Sequence, residues 1–310
     1  MIFEDTSFLD DIVVDDIPKY YSTKGKNRYD KNIFRSNMML NPLYIKHLNK
    51  LDILNCDVVT INLEDAIAPS RKKEALYKTA LFLSHIEKLD KMVVVRVNPL
   101  YEGGLEEILY LNKFGFDAVR VSKIKSIDEI KTALNILSKS KDLHISLETK
   151  EAFSDIIRLK TDERFTTANL GILDLLASLK LPQSLIRLDN PTIEYILSKF
   201  LIDCKSVDIL PVSFMFQDYK DTNTFKLWCQ KEKSLGFESK ACMGPAQVDI
   251  ANSIFGIDDE EIQKAKYIKK VFEEQSSKNI NGFMDQKYGF IDEPIYKDAI
   301  GILNRLDTTI

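Results

Sequence analysis

Carboxylate side chains stand where several apolar segments of this sequence end. Glu64 and Asp65 follow the β-branched run in VVTINLED, Glu148 follows HISL, and Asp174 comes shortly after TTANLG. Oxygen donors of this kind bind hard cations such as Mg²⁺, whereas a soft metal would need thiolate or imidazole. The residue types therefore indicate a magnesium centre, provided that the fold brings the ends of these segments together.

Basic side chains follow segments of the same type. Arg96 stands near the end of MVVVRVN, and Lys123 follows AVRVS. A single carboxylate in such a place is usually a helix cap or the partner in a surface ion pair. If acidic and basic groups gather at one end of successive strands, like charges repel one another and opposite charges only form ion pairs, unless a ligand lies among them. The pattern favours a divalent cation together with an anionic ligand.

The segments that must position these side chains alternate between strand and helix patterns almost to the end of the chain. Candidate strands are predicted at residues 37–40, 58–63, 92–97, 118–122, 144–147, 167–171, 208–214 and 238–242. Helical patterns between them include residues 71–86, 105–114, 127–138, 151–159, 192–204 and 225–235. Eight strands in this order predict an α/β protein with a (β/α)8 TIM barrel, in which the carboxyl ends of the strands form the active site.

Three regions are predicted. Residues 1–33 read as a polar N-terminal arm, residues 34–257 as the catalytic barrel, and residues 258–310 as a C-terminal helical extension. The extension carries apolar residues, among them Ile268, Phe272 and Ile291, that a closed barrel does not need. We therefore expect the protein to form a homo-oligomer.

The composition narrows the possible partners. With 43 Lys and Arg against 47 Asp and Glu, the net charge of −4 offers no electrostatic basis for binding nucleic acid. The four cysteines form no CxxC pair, the N-terminus is acidic where a signal peptide would be basic, and no apolar run predicts a membrane span. A cytoplasmic protein with a small ligand is expected. His47, His85 and His144 have no metal-ligand spacing, which argues against zinc.

A series of motifs resembles the citrate lyase β-subunit and malyl-CoA lyase family, in order, from about Arg35 to the C-terminus. The motifs are RSNMML, INLEDAIAP, VVVRVN, VSKIKS, SLETKEAF, LGILDLLASL and LGFESKACMGPAQVDIANSIF. Each is weakly specific by itself, and their shared order and spacing make the set strong. The chain resembles a divergent member of this family.

The resemblance implies a metal site with Mg²⁺ as the cofactor. Glu148 and Asp174 would bind the ion directly. Glu64 and Asp65 would lie behind the metal's water molecules, where they would act in catalysis by ordering the hydration shell.

The resemblance also implies a site for an anionic substrate. Arg96 would hold the carboxylate or developing oxyanion of a 2-oxo acid, since its planar fork suits bidentate recognition. Arg35 would be the second anion-binding arginine, and Lys123 would bind substrate as well. Asp218, in the loop after the seventh strand, is a candidate acid–base residue with Asp208 and Asp221 as competitors.

The implied reaction is reversible Claisen-type chemistry between an acyl thioester and a short 2-oxo acid such as oxaloacetate, glyoxylate or pyruvate. The thioester would be that of coenzyme A or an acyl carrier protein, and hydrolysis after condensation stays open because the family includes thioesterases. The family also implies a trimer or hexamer.

Departures from the family motifs keep two other functions open. Gly244-Pro245 replaces His-Pro, Ser239 and Ser122 stand where the family has Gly and Pro, and Lys180 replaces a further Gly. Because the thioester-side motif has changed, an aldolase that joins a 2-oxo acid to an aldehyde without a thioester is one alternative. A non-catalytic binding subunit is the other.

Overall fold

The computed structural model describes residues 1–30 and 33–307. These residues form two compact units, one made of Met1–Tyr29 with Phe34–Phe255 and the other mainly of residues from Gly256 onward. In the described part of the chain, no helix has the length and apolar character needed to cross a membrane. All the residues discussed below as a candidate site belong to the first unit.

Eight parallel strands form the sheet of the first unit. They are β1 (Ser36–Leu40), β2 (Val58–Asn62), β3 (Met92–Val97), β4 (Ala118–Val121), β5 (Asp142–Leu147), β6 (Phe165–Leu170), β7 (Leu210–Val212) and β8 (Lys240–Cys242). Each strand from β1 to β6 pairs with the next one in the chain, and β8 pairs with β1. Ser213, just after β7, bridges to Lys240 and closes the ring. The predicted (β/α)8 barrel is confirmed.

Helices follow the strands around the barrel. They are α1 (Ile45–Leu48), α2 (Lys72–His85), α3 (Leu105–Leu111), α4 (Ile127–Ile136), α5 (Lys150–Leu159), α6 (Ile172–Ser178), α7 (Pro191–Lys205), α8 (Thr222–Leu235) and α9 (Pro245–Phe255). Local signals set several of their starts, such as the capping box between Ser126 and Glu129 at α4 and the Asn190 cap followed by Pro191 at α7. Periodicity did not predict α6, whose seven residues are too few to show an amphipathic repeat.

The interior of the barrel changes character along its axis. At the amino ends of the strands, Val58, Met92, Val94 and Ala118 form a small apolar cluster. Side chains two residues apart on a strand share a face, so Arg96 lies above Met92 and Val94 on the same side of β3. Apolar residues close one end of the barrel, and polar residues occupy the other.

The first 29 residues, predicted as part of a polar arm, belong to the same compact unit as the barrel. Leu9 and Ile17 are buried and join the main apolar core. The segment is polar on average, but its few apolar side chains are spaced so that they can pack inward.

The second unit contains α10 (Asp259–Ser276), a hairpin of β9 (Gly282–Asp285) and β10 (Gly289–Asp292), and α11 (Glu293–Asp307). The region predicted as a C-terminal helical extension thus contains two helices with a hairpin between them. Ile268, Phe272 and Ile291 are buried in this unit's own core. The residues on which the sequence predicted an oligomer are therefore used internally.

A fully buried ion pair joins β8 to α8. The Nζ atom of Lys240 lies 2.6 Å from Glu232 Oε1, and neither side chain is exposed to solvent. Ser213 Oγ donates to the same oxygen at 2.6 Å, and the ammonium group lies 3.8 Å from the centre of the Phe214 ring. Removing one member of such a pair leaves a buried charge without compensation.

We therefore expect Lys240→Met to lower the free energy of unfolding by about 3–5 kcal/mol, and the double variant Lys240→Met/Glu232→Leu to recover most of that loss. Urea unfolding can be followed by the fluorescence of Trp228, which is the single tryptophan and is buried against Phe214.

The matched control is Lys205→Met, which breaks the exposed pair between Lys205 and Glu238. This change should cost less than about 1 kcal/mol. A Lys240→Met protein as stable as the control would show that the buried pair contributes nothing to stability.

Candidate active site

Arg96 is the centre of the charged cluster at the carboxyl ends of the strands. Its Nη2 lies 2.9 Å from Glu64 and 3.4 Å from Glu148, its Nη1 lies 3.1 Å from Asp65, and its Nε donates to Ser122 Oγ at 3.0 Å. Burial by itself would lower the pKa of Arg96, but the three carboxylates outweigh it and raise that pKa. The guanidinium therefore stays charged and holds the ends of four strands in one arrangement.

The loop after β2 aims its two carboxylates in different directions. Asn62 donates to the main-chain oxygen of Asp65 at 2.7 Å and accepts from the Glu64 N–H at 3.2 Å. Lys72 Nζ donates to the main-chain oxygens of residues 63 and 64 at 2.7 and 2.6 Å, and Ala66 adopts a left-handed conformation with φ of 66°. These contacts leave the side chain of Glu64 buried and that of Asp65 55% exposed.

Burial and contacts shift the pKa values of Glu64 and Asp65 in opposite directions. Burial raises the pKa of Glu64 above its ordinary value. Burial would also raise the pKa of Asp65, but the contact with Glu64 and the charge of Arg96 outweigh it and hold that pKa low. Asp65 is thus the more acidic carboxylate of the pair.

Lys123 joins the cluster from the end of β4. Its backbone adopts a left-handed conformation with φ of 54°, and its main-chain N–H donates to Glu148 Oε1 at 2.9 Å. Its side chain reaches the other way, and Nζ lies 3.0 Å from Glu64 Oε1. The predicted substrate-binding lysine therefore lies at the same end of the barrel as Arg96.

Glu148 follows β5 and is 3% exposed. Burial raises its pKa to about 7, although the charge of Arg96 acts in the opposite direction. A Cβ atom at Gly171 would stand 2.6 Å from Glu148 Oε2, so only glycine fits at the end of β6 beside this carboxylate. The sequence places a glycine where the backbone must approach a functional side chain.

Asp174 lies in the first turn of α6 and is exposed. It lines the same cavity as Glu148, and its charge contributes to the raised pKa of Glu148. Within the described residues, no group of three or more His, Cys, Asp or Glu side chains is arranged as a complete metal cage. Mg²⁺ is typically held by one or two carboxylates while water and substrate oxygens complete its coordination, so these two oxygen donors fit that ion.

The cavity at this end has a volume of about 370 Å³. Arg96, Glu148 and Asp174 line it, and so do Arg120 and Asn169, which the sequence analysis did not select. Arg120 was missed because it lies inside a strand and not after one. A charged residue within an otherwise apolar strand was the signal that could have identified it.

Arg35 does not reach this cavity, which corrects its expected role. It precedes β1, and its guanidinium pairs with Asp57, which precedes β2, at 2.8 and 2.9 Å. Both residues therefore lie at the amino ends of their strands, opposite the candidate site. The resemblance placed Arg35 in the site by motif alone, without regard to which end of β1 carries it.

Asp218 is exposed on the loop between β7 and α8 and does not line the cavity, although its neighbour Gln217 does. Its carboxylate accepts from the main-chain N–H groups of Lys220 and Asp221 at 3.1 and 3.3 Å. Asp221 caps α8, and Asp208 occupies a left-handed turn before β7. Both competitors of Asp218 therefore have local structural roles.

Known proteins are similar to this chain in sequence and in fold. The family model of HpcH/HpaI aldolase/citrate lyase matches residues 36–245. A (3S)-malyl-CoA thioesterase of Cereibacter sphaeroides is 25% identical over 78% of this chain and 84% of its own length. The citrate lyase subunit beta of Haemophilus influenzae is 25% identical over 82% of this chain and 90% of its own length.

A solved structure supports the same fold. The protein CitE from Mycobacterium tuberculosis, in complex with magnesium, acetoacetate and coenzyme A, superposes with a TM-score of 0.69 at 18% identity, covering 89% of this chain and 99% of that one. Since the family model covers most of the barrel, this chain belongs to the HpcH/HpaI aldolase/citrate lyase family.

Proposed function

We propose that this protein is a Mg²⁺-dependent carbon–carbon lyase or synthase that cleaves or forms a β-hydroxyacyl thioester of the citryl, malyl or citramalyl type. The observation that carries the proposal is the cavity that Arg96, already surrounded by carboxylates, lines together with Glu148 and Asp174. A site of this kind combines a cation-binding pair with a fixed positive group for an anionic substrate.

Glu148 and Asp174 are the proposed metal ligands. Bound Mg²⁺ would supply Lewis-acid polarisation of the 2-oxo carbonyl and a template for its carboxylate. The main-chain N–H of Lys123 and the guanidinium of Arg96 hold the Glu148 carboxylate in place. Glu64 is held by Arg96 and Lys123 and would orient what the pair binds.

Arg96 would bind the carboxylate or developing oxyanion of the 2-oxo acid. Among its three acidic partners, Asp65 alone is largely exposed, so a substrate carboxylate can take its place without uncovering a buried charge. In the cleavage direction a base removes the β-hydroxyl proton, the carbon–carbon bond breaks, and its electron pair passes to the thioester as an enolate that is then protonated. Arg96 and Lys123 provide the positive field for these anionic groups.

The thioester is proposed to be that of coenzyme A or an acyl carrier protein. The relatives carry malyl-CoA or citrate lyase in their names, and the CitE structure contains coenzyme A. These similarities favour thioester chemistry over the aldolase and the non-catalytic subunit as alternatives.

The metal site can be tested by thermal unfolding of the metal-free protein. Adding Mg²⁺ should raise the melting temperature, by an amount equivalent to about 2.7 kcal/mol at 100 times the dissociation constant. Glu148→Gln and Asp174→Asn should each abolish the shift, and Glu64→Gln should only weaken it. Asp189→Asn, which changes an exposed carboxylate, is the matched control. A normal Mg²⁺ response in both ligand variants would exclude this metal site.

The same experiment has a defined pH dependence. A carboxyl group whose pKa is higher in the folded than in the unfolded state stabilises the fold at low pH. The contribution of Glu148 should be lost as the pH rises from 4.5, its ordinary pKa, to about 7, its pKa in the folded protein. Mg²⁺ must displace the remaining proton, so its stabilising effect should be larger at pH 8 than at pH 6. An equal shift at both pH values would mean that Glu148 does not titrate at the metal.

The role of Arg96 can be tested by Arg96→Lys, which keeps the charge and removes the planar fork. We expect kcat/KM for release of the 2-oxo acid, measured as its phenylhydrazone, to fall by about 100-fold or more. Arg35→Lys should leave it nearly unchanged, because Arg35 pairs with Asp57 at the other end of the barrel. The reverse ranking would return Arg35 to the site and remove Arg96 from it.

We further propose that the protein is a homo-oligomer, a trimer or hexamer, in which Asp218 of one subunit serves as the acid–base residue in the active site of its neighbour. Two observations support this assembly. Asp218 lies outside its own cavity yet on the loop that follows β7. The cross-strand pair Met284 and Phe290 on the β9–β10 hairpin is 76% and 57% exposed, which leaves an apolar surface for another copy of the chain.

Light scattering should therefore show an oligomer at micromolar concentration. Asp218→Asn should lose most of its turnover, and so should Arg96→Lys. Co-expressing the two variants should restore activity, because some sites would combine an intact Arg96 with an intact Asp218 from the next subunit. A monomer, or full activity of Asp218→Asn, would contradict the assembly or the residue's role.

A further inference from the structure

Arg120 is a buried arginine in the middle of β4 that has no acidic partner among the described residues. It is 4% exposed, and no carboxylate of the described residues lies within ion-pair distance of its guanidinium. Its Nη1 donates to Asn169 Oδ1 at 3.0 Å, and its buried Nε has no acceptor in the described part of the chain. Arg96 and Lys240, also buried cations of this barrel, are each paired with carboxylates.

The described groups around Arg120 do not neutralise its guanidinium by direct contact. Burial, together with the nearby charge of Arg96, lowers the pKa of Arg120 to about 9. His144, its neighbour in register on β5, has a pKa lowered by burial to about 3 and so is neutral. Arg120 thus adds a positive charge that Glu148, Glu64 and Asp65 offset only from beyond ion-pair distance. A buried charge without a contacting anion is strongly unfavourable unless a ligand supplies the missing acceptors.

A hydrogen-bonded chain holds the guanidinium in place. Thr60 donates to Asn37 at 2.8 Å, and Asn37 donates to Asn169 Oδ1 at 3.2 Å. The same oxygen accepts from Arg120, which leaves Asn169 Nδ2 without an acceptor among the described residues. Two unpartnered N–H donors, one from Arg120 and one from Asn169, are therefore provided by residues that line the candidate cavity.

Arg120 also stands beside Arg96. The two are register partners on β4 and β3, and neighbouring strands lie about 4.8 Å apart. Their charges are balanced differently, since in the part of the chain that the structure describes Arg96 contacts three carboxylates and Arg120 contacts none. The site therefore has an acceptor-poor cation beside the group proposed to hold the first substrate carboxylate.

We propose that Arg120 and Asn169 bind a second carboxylate of the substrate, so that the 2-oxo acid of this enzyme is a dicarboxylate of four or five carbons. This inference rests on the proposed function, because it places the 2-oxo end of the acid at Glu148 and Asp174. A guanidinium fork and an amide N–H suit a carboxylate, whereas the methyl group of pyruvate or the hydrogen of glyoxylate would leave both donors unsatisfied.

Calorimetric titration in the presence of Mg²⁺ tests this selectivity without turnover. The probes are two dicarboxylates, freshly dissolved oxaloacetate and 2-oxoglutarate, and two monocarboxylates, pyruvate and 2-oxobutanoate. At least one dicarboxylate should bind the unaltered protein about tenfold or more tightly than either monocarboxylate. Arg120→Met should weaken that dicarboxylate about 10- to 100-fold and change the monocarboxylates by less than about threefold.

Two controls define the outcome. Arg164→Met makes the same charge change at the amino end of β6, where Arg164 pairs with Asp162, and should leave the preference intact. Arg120→Met should melt at the same or a higher temperature, since it removes an unpaired buried charge. If it does not fold, the preference of the unaltered protein decides by itself.

Three results would overturn the inference. Equal or tighter binding of pyruvate by the unaltered protein would exclude a second carboxylate subsite. A similar loss for all four acids in Arg120→Met would show that Arg120 holds the carboxylate common to them all. Both results leave the proposed lyase function intact. The third result, in which none of the four acids binds in the presence of Mg²⁺, would overturn that function as well.

Discussion

The candidate site depends on one buried guanidinium. Arg96 lies at the end of β3 and contacts Glu64 and Asp65 after β2, Ser122 after β4 and Glu148 after β5. The carboxylates offset the cost of burying this guanidinium, and they tolerate their own crowding because Arg96 lies among them. The position of each of these groups is therefore coupled to the positions of the others.

The barrel supplies the conditions that make this cluster chemically useful. An apolar cluster closes the amino end, so the polar groups above it are shielded from water on one side. Burial raises the pKa of Glu148 to about 7, so near neutral pH part of this group is a protonated carboxyl that a bound divalent cation would convert to the carboxylate. The same burial leaves Arg120 as a cation in need of an anion. Low solvent exposure thus prepares the site for a charged ligand as well as for a metal.

Much of the fold follows from sequence periodicity. The apolar runs of β2 and β3 are buried on both faces, as strands of a parallel barrel must be, and their β-branched composition predicts them with accurate bounds. The short helix α6 and the β9–β10 hairpin have too few residues to show a repeat, so periodicity did not identify them. The packing of residues 1–29 also escaped prediction, because it depends on distant partners for a few apolar side chains.

The sequence by itself determined which residue types follow the strands, and in a parallel barrel this is enough to bring Glu64, Arg96 and Glu148 together at one end. Only the tertiary structure decided which charges are paired. It placed Arg35 at the opposite end beside Asp57, and within the described residues it left Arg120 without a carboxylate at ion-pair distance. The reason is physical: strand order and direction are local properties that a pattern can carry, whereas an ion pair and a desolvated charge depend on distances between residues far apart in the chain.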